Sequence, residues 1–238
     1  LIGHGVPSPA VARKFLNQFH AEEKIEAAKQ GRVGDQIAYI PEENEPLDGL
    51  GLVNRALVQE LGRRCPDQRI ATVDQDATII GSSKQFALRT YEGERGYQPM
   101  LAVWAELNVV LADEFRDGNV PAMMDPLNVA KKAFAALPET VKTYYYRGDS
   151  ARHESGLMNW LRDGKRAEGP QGFIGFAISA RMSEALRRAI GEVAEEAWEA
   201  YGKATAAEIR ECAEVSFVPG EKSEHKDTQP LRHRAIRI

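Results

Sequence analysis

Thr72-Val73-Asp74-Gln75-Asp76-Ala77-Thr78 lies inside Arg69–Ile80, a run of β-branched and small residues that reads as a strand. Side chains alternate along a strand, so Asp74 and Asp76 project from the same face. Two carboxylates side by side are costly to bury without a cation or protons to compensate them, which marks a candidate site. The plainer alternative is that one acid caps the strand end and the other faces water. Downstream, Gly96–Ala105 and Val109–Phe115 read as two more strands with a tight connection at Glu106–Asn108, which completes a three-stranded meander. Arg116-Asp117-Gly118-Asn119 is a turn signal, after which Asp125 is placed to cap a helix that begins at Pro126, runs through Val129, Phe134 and Leu137, and stops at Pro138. Val141–Tyr146 is a fourth strand and Gly148-Asp149-Ser150 turns the chain, which makes Asp149 a second candidate acid, or simply a helix cap. Glu154–Leu161 reads as a helix and Gly172–Ser179 as a fifth strand.

The flanks follow the same grammar. Residues 1–66 read as mainly helical, either simply a small helical subdomain or one with a helix that touches DNA, with Val11, Phe15, Leu16 and Phe19 on one face and Leu50, Val53, Leu57 and Leu61 on another, joined by the acidic connector Pro41–Pro46. Met182–Tyr201 reads as one long helix, with Leu186, Ile190, Val193, Ala197 and Tyr201 inward and Glu192, Glu195, Glu196 and Glu199 outward. Glu214–Pro219 and Leu231–Ile238 are strand candidates around a polar loop, Glu221–Gln229.

Composition narrows the classes. The chain has 238 residues, 43% apolar and 28% charged, which suits folded domains rather than disorder. Its 31 basic and 35 acidic residues give a net charge of −4, so any nucleic-acid surface is local. Cys65 and Cys212 lie far apart without metal-ligand spacing, which argues against a zinc module or a disulfide framework and fits a reducing, cytoplasmic setting. Pro99–Ala112 is too short and too polar to cross a membrane. The five histidines, His4, His20, His153, His225 and His233, are scattered. Lys142, Arg147, Arg152, Arg162, Lys165 and Arg166 gather around Asp149 in sequence, either as a phosphate-binding surface or as solvated loop charge. Trp104, Trp160 and Trp198 read as core residues rather than base-stacking platforms.

A strand with an acid, two antiparallel neighbours, a crossover helix and a fourth strand ending in a second acid is the progression of the ribonuclease H-like fold, in which strands one and four are adjacent. The fold expected is therefore α/β, an RNase H-like mixed sheet with flanking helices. Paired carboxylates suit Mg²⁺ or Mn²⁺, and two such ions about 3.5–4 Å apart support phosphodiester cleavage.

Several segments in order carry a resemblance to a family. Gly5-Val6-Pro7-Ser8-Pro9 with Arg13-Lys14-Phe15-Leu16, then Val73–Thr78, Gly96-Tyr97-Gln98-Pro99-Met100, Leu111–Asn119 and Arg147-Gly148-Asp149-Ser150 resemble DDE-type transposases of bacterial insertion sequences. The resemblance implies cutting and rejoining of transposon ends by a divalent-metal enzyme, with double-stranded DNA as partner and a homodimer when bound to it. It implies Asp76 and Asp149 as the catalytic, metal-binding acids, with Asp74 as the alternate for the first. It divides the chain into a helical subdomain (1–66), a catalytic core (67–212) and the start of a strand-rich insertion (213–238). The family also requires a third acid, a Glu on a helix after that insertion, and no segment here matches it. Glu199, beside Trp198, precedes the expected strands and reads as surface. With Leu1 first and a strand pattern running to Ile238, the expectation is an inactive fragment open at its C-terminal end.

Two other readings stay open. Asp74-Gln75-Asp76-Ala77-Thr78 also fits the Asp-x-Asp-x-Thr signature of haloacid-dehalogenase-type phosphatases, with Asp74 as nucleophile, Asp76 as acid/base and Mg²⁺ as cofactor. A non-catalytic DNA-binding remnant of a mobile element would share the fold without the activity.

Overall fold

A computed structural model describes residues 6–19, 23, 38–40, 42–85, 87–202, 210–218 and 231–237. The loop Glu221–Gln229, His4, His20 and His225 lie outside them. Among the described residues the helices are α1 (Pro9–Asn17), α2 (Glu45–Arg64), α3 (Pro126–Ala136), α4 (Ser155–Arg162) and α5 (Glu184–Gly191). The central sheet is built from β1 (Ile70–Ala77), β5 (Met100–Trp104), β6 (Val109–Glu114), β7 (Thr143–Gly148) and β8 (Ile174–Ile178) in the order β6-β5-β1-β7-β8. β1 pairs antiparallel with β5 and β5 with β6, whereas β1–β7 and β7–β8 are parallel. The molecule is thus mixed α/β, with a mixed sheet flanked by helices.

Alternation along β1 decides which face becomes core. Ala71, Val73 and Gln75 are buried, and so are Met100, Ala102 and Trp104 on β5 and Tyr146 on β7. α3 lies over this face through Val129, Ala130, Ala133 and Phe134, and α4 adds Leu157 and Leu161. Burying each large apolar side chain contributes about 1.5–3 kcal/mol. The opposite face of the sheet carries Thr72, Asp74 and Asp76, together with Tyr145 and Arg147, and is largely exposed.

Two smaller sheets flank the central one. β2 (Ile80–Gly81), β3 (Leu88–Arg89) and β4 (Arg95–Tyr97) form a three-stranded sheet in the order β2-β4-β3. Gly96–Ala105, read as one strand, is therefore two, divided at Gln98-Pro99, because proline donates no ladder hydrogen bond; the Pro99 carbonyl instead accepts from Thr78 N at 3.0 Å. The other small sheet joins β9 (Glu199–Ala200), β10 (Glu211–Phe217) and β11 (Leu231–Arg237), so its strands lie on both sides of position 212.

Three further expectations are corrected. The Met182–Tyr201 helix ends at Gly191, after which a 3-10 turn, Glu195–Ala197, leads into β9; Glu195 pairs with Arg237 and Ala197 is exposed. Asp125 does occupy the N-cap position of α3 but in a left-handed conformation, φ 40°, with no capping hydrogen bond from its side chain. On α1 and α2 the apolar faces read from the sequence are exposed at Val11, Phe15, Leu16, Leu50, Val53 and Leu57 rather than packed. α2 buries Val58 and Gly62 instead, because polar side chains seat it: Asn54 Nδ2 donates to the Val110 and Leu111 carbonyls and Gln59 Nε2 to those of Ala136 and Leu137.

Candidate functional site

The parallel register of β1 and β7 pairs Asp74 with Arg147 and Gln75 with Gly148. Extending that register by one residue sets Asp76, next to last in β1, opposite Asp149, the first residue after β7, at the same edge of the sheet. Both carboxylates act on the Arg152 guanidinium, Asp76 lying 3.7 Å from its Nη2.

Asp74 and Asp76 share a face, as the alternation requires, yet their partners differ. Asp74 forms an ion pair and hydrogen bond with Arg147, directly opposite it on β7, and this raises the Arg147 pKa. Asp74 is thus engaged where the phosphatase reading needs an open nucleophile. Asp76 is 72% exposed; its Oδ1 accepts from Ala77 N at 2.8 Å and lies 3.7 Å from Arg152 Nη2. Asp149 caps the 3-10 turn Ser150–Arg152, its Oδ1 accepting from Ala151 N at 3.0 Å. Each of these two acids therefore has one oxygen steadied by a backbone N–H, with the carboxylate still at the surface.

Beneath the acids is a polar layer that the sequence pattern did not single out. Gln75, between Asp74 and Asp76 in sequence and fully buried, donates from Nε2 to the Pro126 carbonyl at 2.9 Å and accepts at Oε1 from the Tyr146 hydroxyl at 3.1 Å. Burial raises the Tyr146 pKa, which keeps that hydroxyl a donor. Arg152 is also fully buried. Its Nε donates to the Gln75 carbonyl at 3.4 Å and its Nη1 to that of Ala122, while Nη2 has no hydrogen-bond partner. Gly148 is required by this side chain, since a Cβ there would stand 2.6 Å from Arg152 Cγ. Alternation alone would have flagged Gln75 as an inward polar residue; Arg152 stands out in sequence only as one of the basic residues near Asp149, with nothing local to mark it as buried.

The basic cluster expected around Asp149 disperses. Arg152 and Arg166 are buried, Arg147 is held by Asp74, and Lys142 and Lys165 are exposed. Arg166 braces its own loop, with Nε donating to the Trp160 carbonyl at 3.0 Å and Nη2 to that of Leu161 at 2.9 Å. Glu199 is exposed on β9, and Trp104 is core as expected. A cleft of about 370 Å³ opens against the turn that follows Asp149, lined by Tyr91, Gln98, Asn119, Met123, Ser150 and Arg181 among others; neither acid lines it. His153 and His233, far apart in sequence, meet edge to face with ring centroids 5.8 Å apart.

Hard oxygen donors at two adjacent strand ends suit Mg²⁺ or Mn²⁺ better than a soft or nitrogen-preferring metal. Among the described residues no three His, Cys, Asp or Glu side chains converge as a closed metal cage, and no helix is long and apolar enough to cross a membrane. Compared with known proteins, the chain matches no family model, no curated protein and no solved structure.

Proposed function

We propose that the chain carries the metal-binding half of a DDE-type transposase active site on an RNase H-like sheet, with Asp76 and Asp149 as the acids that act on a DNA phosphodiester. The observation that supports this reading most is the β1–β7 register, which brings two acids from distant segments to neighbouring strand ends on an open face. A bound divalent ion there would supply charge stabilisation on a phosphate oxygen and lower the pKa of water. The chain's own residues hold the carboxylate oxygens in place through Ala77 N and Ala151 N. They keep Asp74 out of the ligand set by pairing it with Arg147. The open face leaves room for a duplex to approach along the sheet, as transposon-end and target DNA would, with a second copy of the chain bound to the same DNA.

Mn²⁺ binding followed by the loss of its free electron paramagnetic resonance signal tests the reading. Asp76→Asn and Asp149→Asn each should weaken binding by about tenfold or more, as expected from loss of one anionic ligand, and Asp74→Asn should leave it nearly unchanged. Binding indifferent to both Asp76 and Asp149 would sink the assignment.

A further inference from the structure

We infer that Arg152 is a built-in counter-cation of the acid pair, a positioning residue that holds divalent-ion affinity down until a further anionic ligand, such as a DNA phosphate, joins the site. The inference rests on the assignment of Asp76 and Asp149 as metal ligands. A guanidinium keeps its charge under almost any conditions, so a fully buried one needs negative charge nearby. Here the carboxylates that act on it are Asp149 and Asp76, the latter 3.7 Å from Nη2, an atom with no hydrogen bond of its own. Nε and Nη1 are tied to the Gln75 and Ala122 carbonyls, so the charge is fixed from β1 and from the loop before α3. Gly148 leaves the space through which the side chain passes. Two carboxylates and one guanidinium sum to a single negative charge, and the number of anionic ligands is a main determinant of affinity for hard divalent ions.

Removing that positive charge should therefore tighten Mn²⁺ binding by the whole chain. A unit charge a few ångström away through a largely aqueous dielectric is worth about three- to tenfold at low salt. Arg152→Gln should show this gain, and Arg152→Lys, which keeps the charge while losing the planar fork, should stay within about twofold of the unaltered protein. Circular dichroism and melting confirm that each variant is folded. A gain in Arg152→Gln with parity in Arg152→Lys supports the inference; equal or weaker binding in Arg152→Gln overturns it and leaves Arg152 as scaffolding only. If Arg152→Gln does not fold, the Arg152 Nε–Hε resonance of the unaltered protein decides. It should shift on adding Mg²⁺ and stop shifting in Asp76→Asn, and a resonance blind to Mg²⁺ overturns the inference. Mn²⁺ binding that ignores Asp76→Asn and Asp149→Asn defeats the metal assignment, and the inference with it, whereas normal loss in those two variants with no gain in Arg152→Gln defeats only the role of Arg152.

Discussion

Gly148 and Arg152 illustrate how a single missing carbon organises the site. The guanidinium stem crosses the backbone of β7 where a side chain would otherwise stand, with Arg152 Cβ 2.8 Å and Cγ 2.6 Å from the position a Gly148 Cβ would take. These are atoms near the root of the side chain, so they have little freedom to yield. Gly148→Ala should destabilise the fold by about 1–3 kcal/mol, the usual cost of overpacking, read as a lower urea midpoint with an unchanged slope. An unchanged midpoint would mean that Arg152 has another low-energy path. From sequence, Gly148 reads as a turn glycine before an acid, whereas its constraint comes from a side chain four residues later.

Among the elements, the central strands and the inward faces of α3 and α4 were legible and the faces of α1 and α2 were not, for a physical reason. Period-two alternation in Ile70–Ala77 reflects one buried and one exposed face, and that is how β1 is used. α2 is seated by Asn54 and Gln59 on carbonyls at the edge of β6 and the end of α3, so its inward side is marked by amides that an apolar periodicity does not count. The same holds for the turn that follows β6. Glu114 and Arg116 form a buried ion pair at 2.5 Å; Arg116 also donates to the Met124 carbonyl at 2.5 Å and the Asp125 carbonyl at 3.1 Å, and Asn128 donates to Glu114 at 2.8 Å. The guanidinium thus holds the left-handed Asp125 and aims α3 at the sheet, in place of the side-chain cap that the sequence suggested. Glu114→Gln, which strands the buried Arg116 charge, should cost about 3–5 kcal/mol in chemical denaturation. The double variant Glu114→Gln/Arg116→Met should recover part of that loss; a single variant as stable as the parent would show the pair to be dispensable.

For the molecule as a whole, the contact between His153 and His233 ties the turn after β7 to β11. His153 is half-buried, its Nε2 has no hydrogen-bond partner, and burial together with the neighbouring His233 lowers its pKa. A histidine whose folded pKa lies below its unfolded value, about 6.5, favours the folded state most when neutral. Its contribution is complete above that unfolded value and is lost as pH falls through the lower folded pKa, since the unfolded chain takes up the proton first. Urea midpoints should therefore drop as pH decreases below about 6.5, and His153→Leu should flatten that dependence; an equally steep profile in the variant would assign it to other groups. The sequence spacing gave no hint of this pair, because proximity here is created by tertiary packing of segments 80 residues apart.

The parallel seam between β1 and β7 has a kinetic corollary. Every hydrogen bond in it joins residues separated by β5, β6 and α3, so its loop-closure entropy must be met before any of its contacts form. Local helices and the antiparallel hairpin of β5 and β6 can appear early, whereas the juxtaposition of Asp76 with Asp149 belongs to a later, non-local stage of assembly. A chain still collapsing does not yet have the two acids side by side; they meet only as the topology is completed.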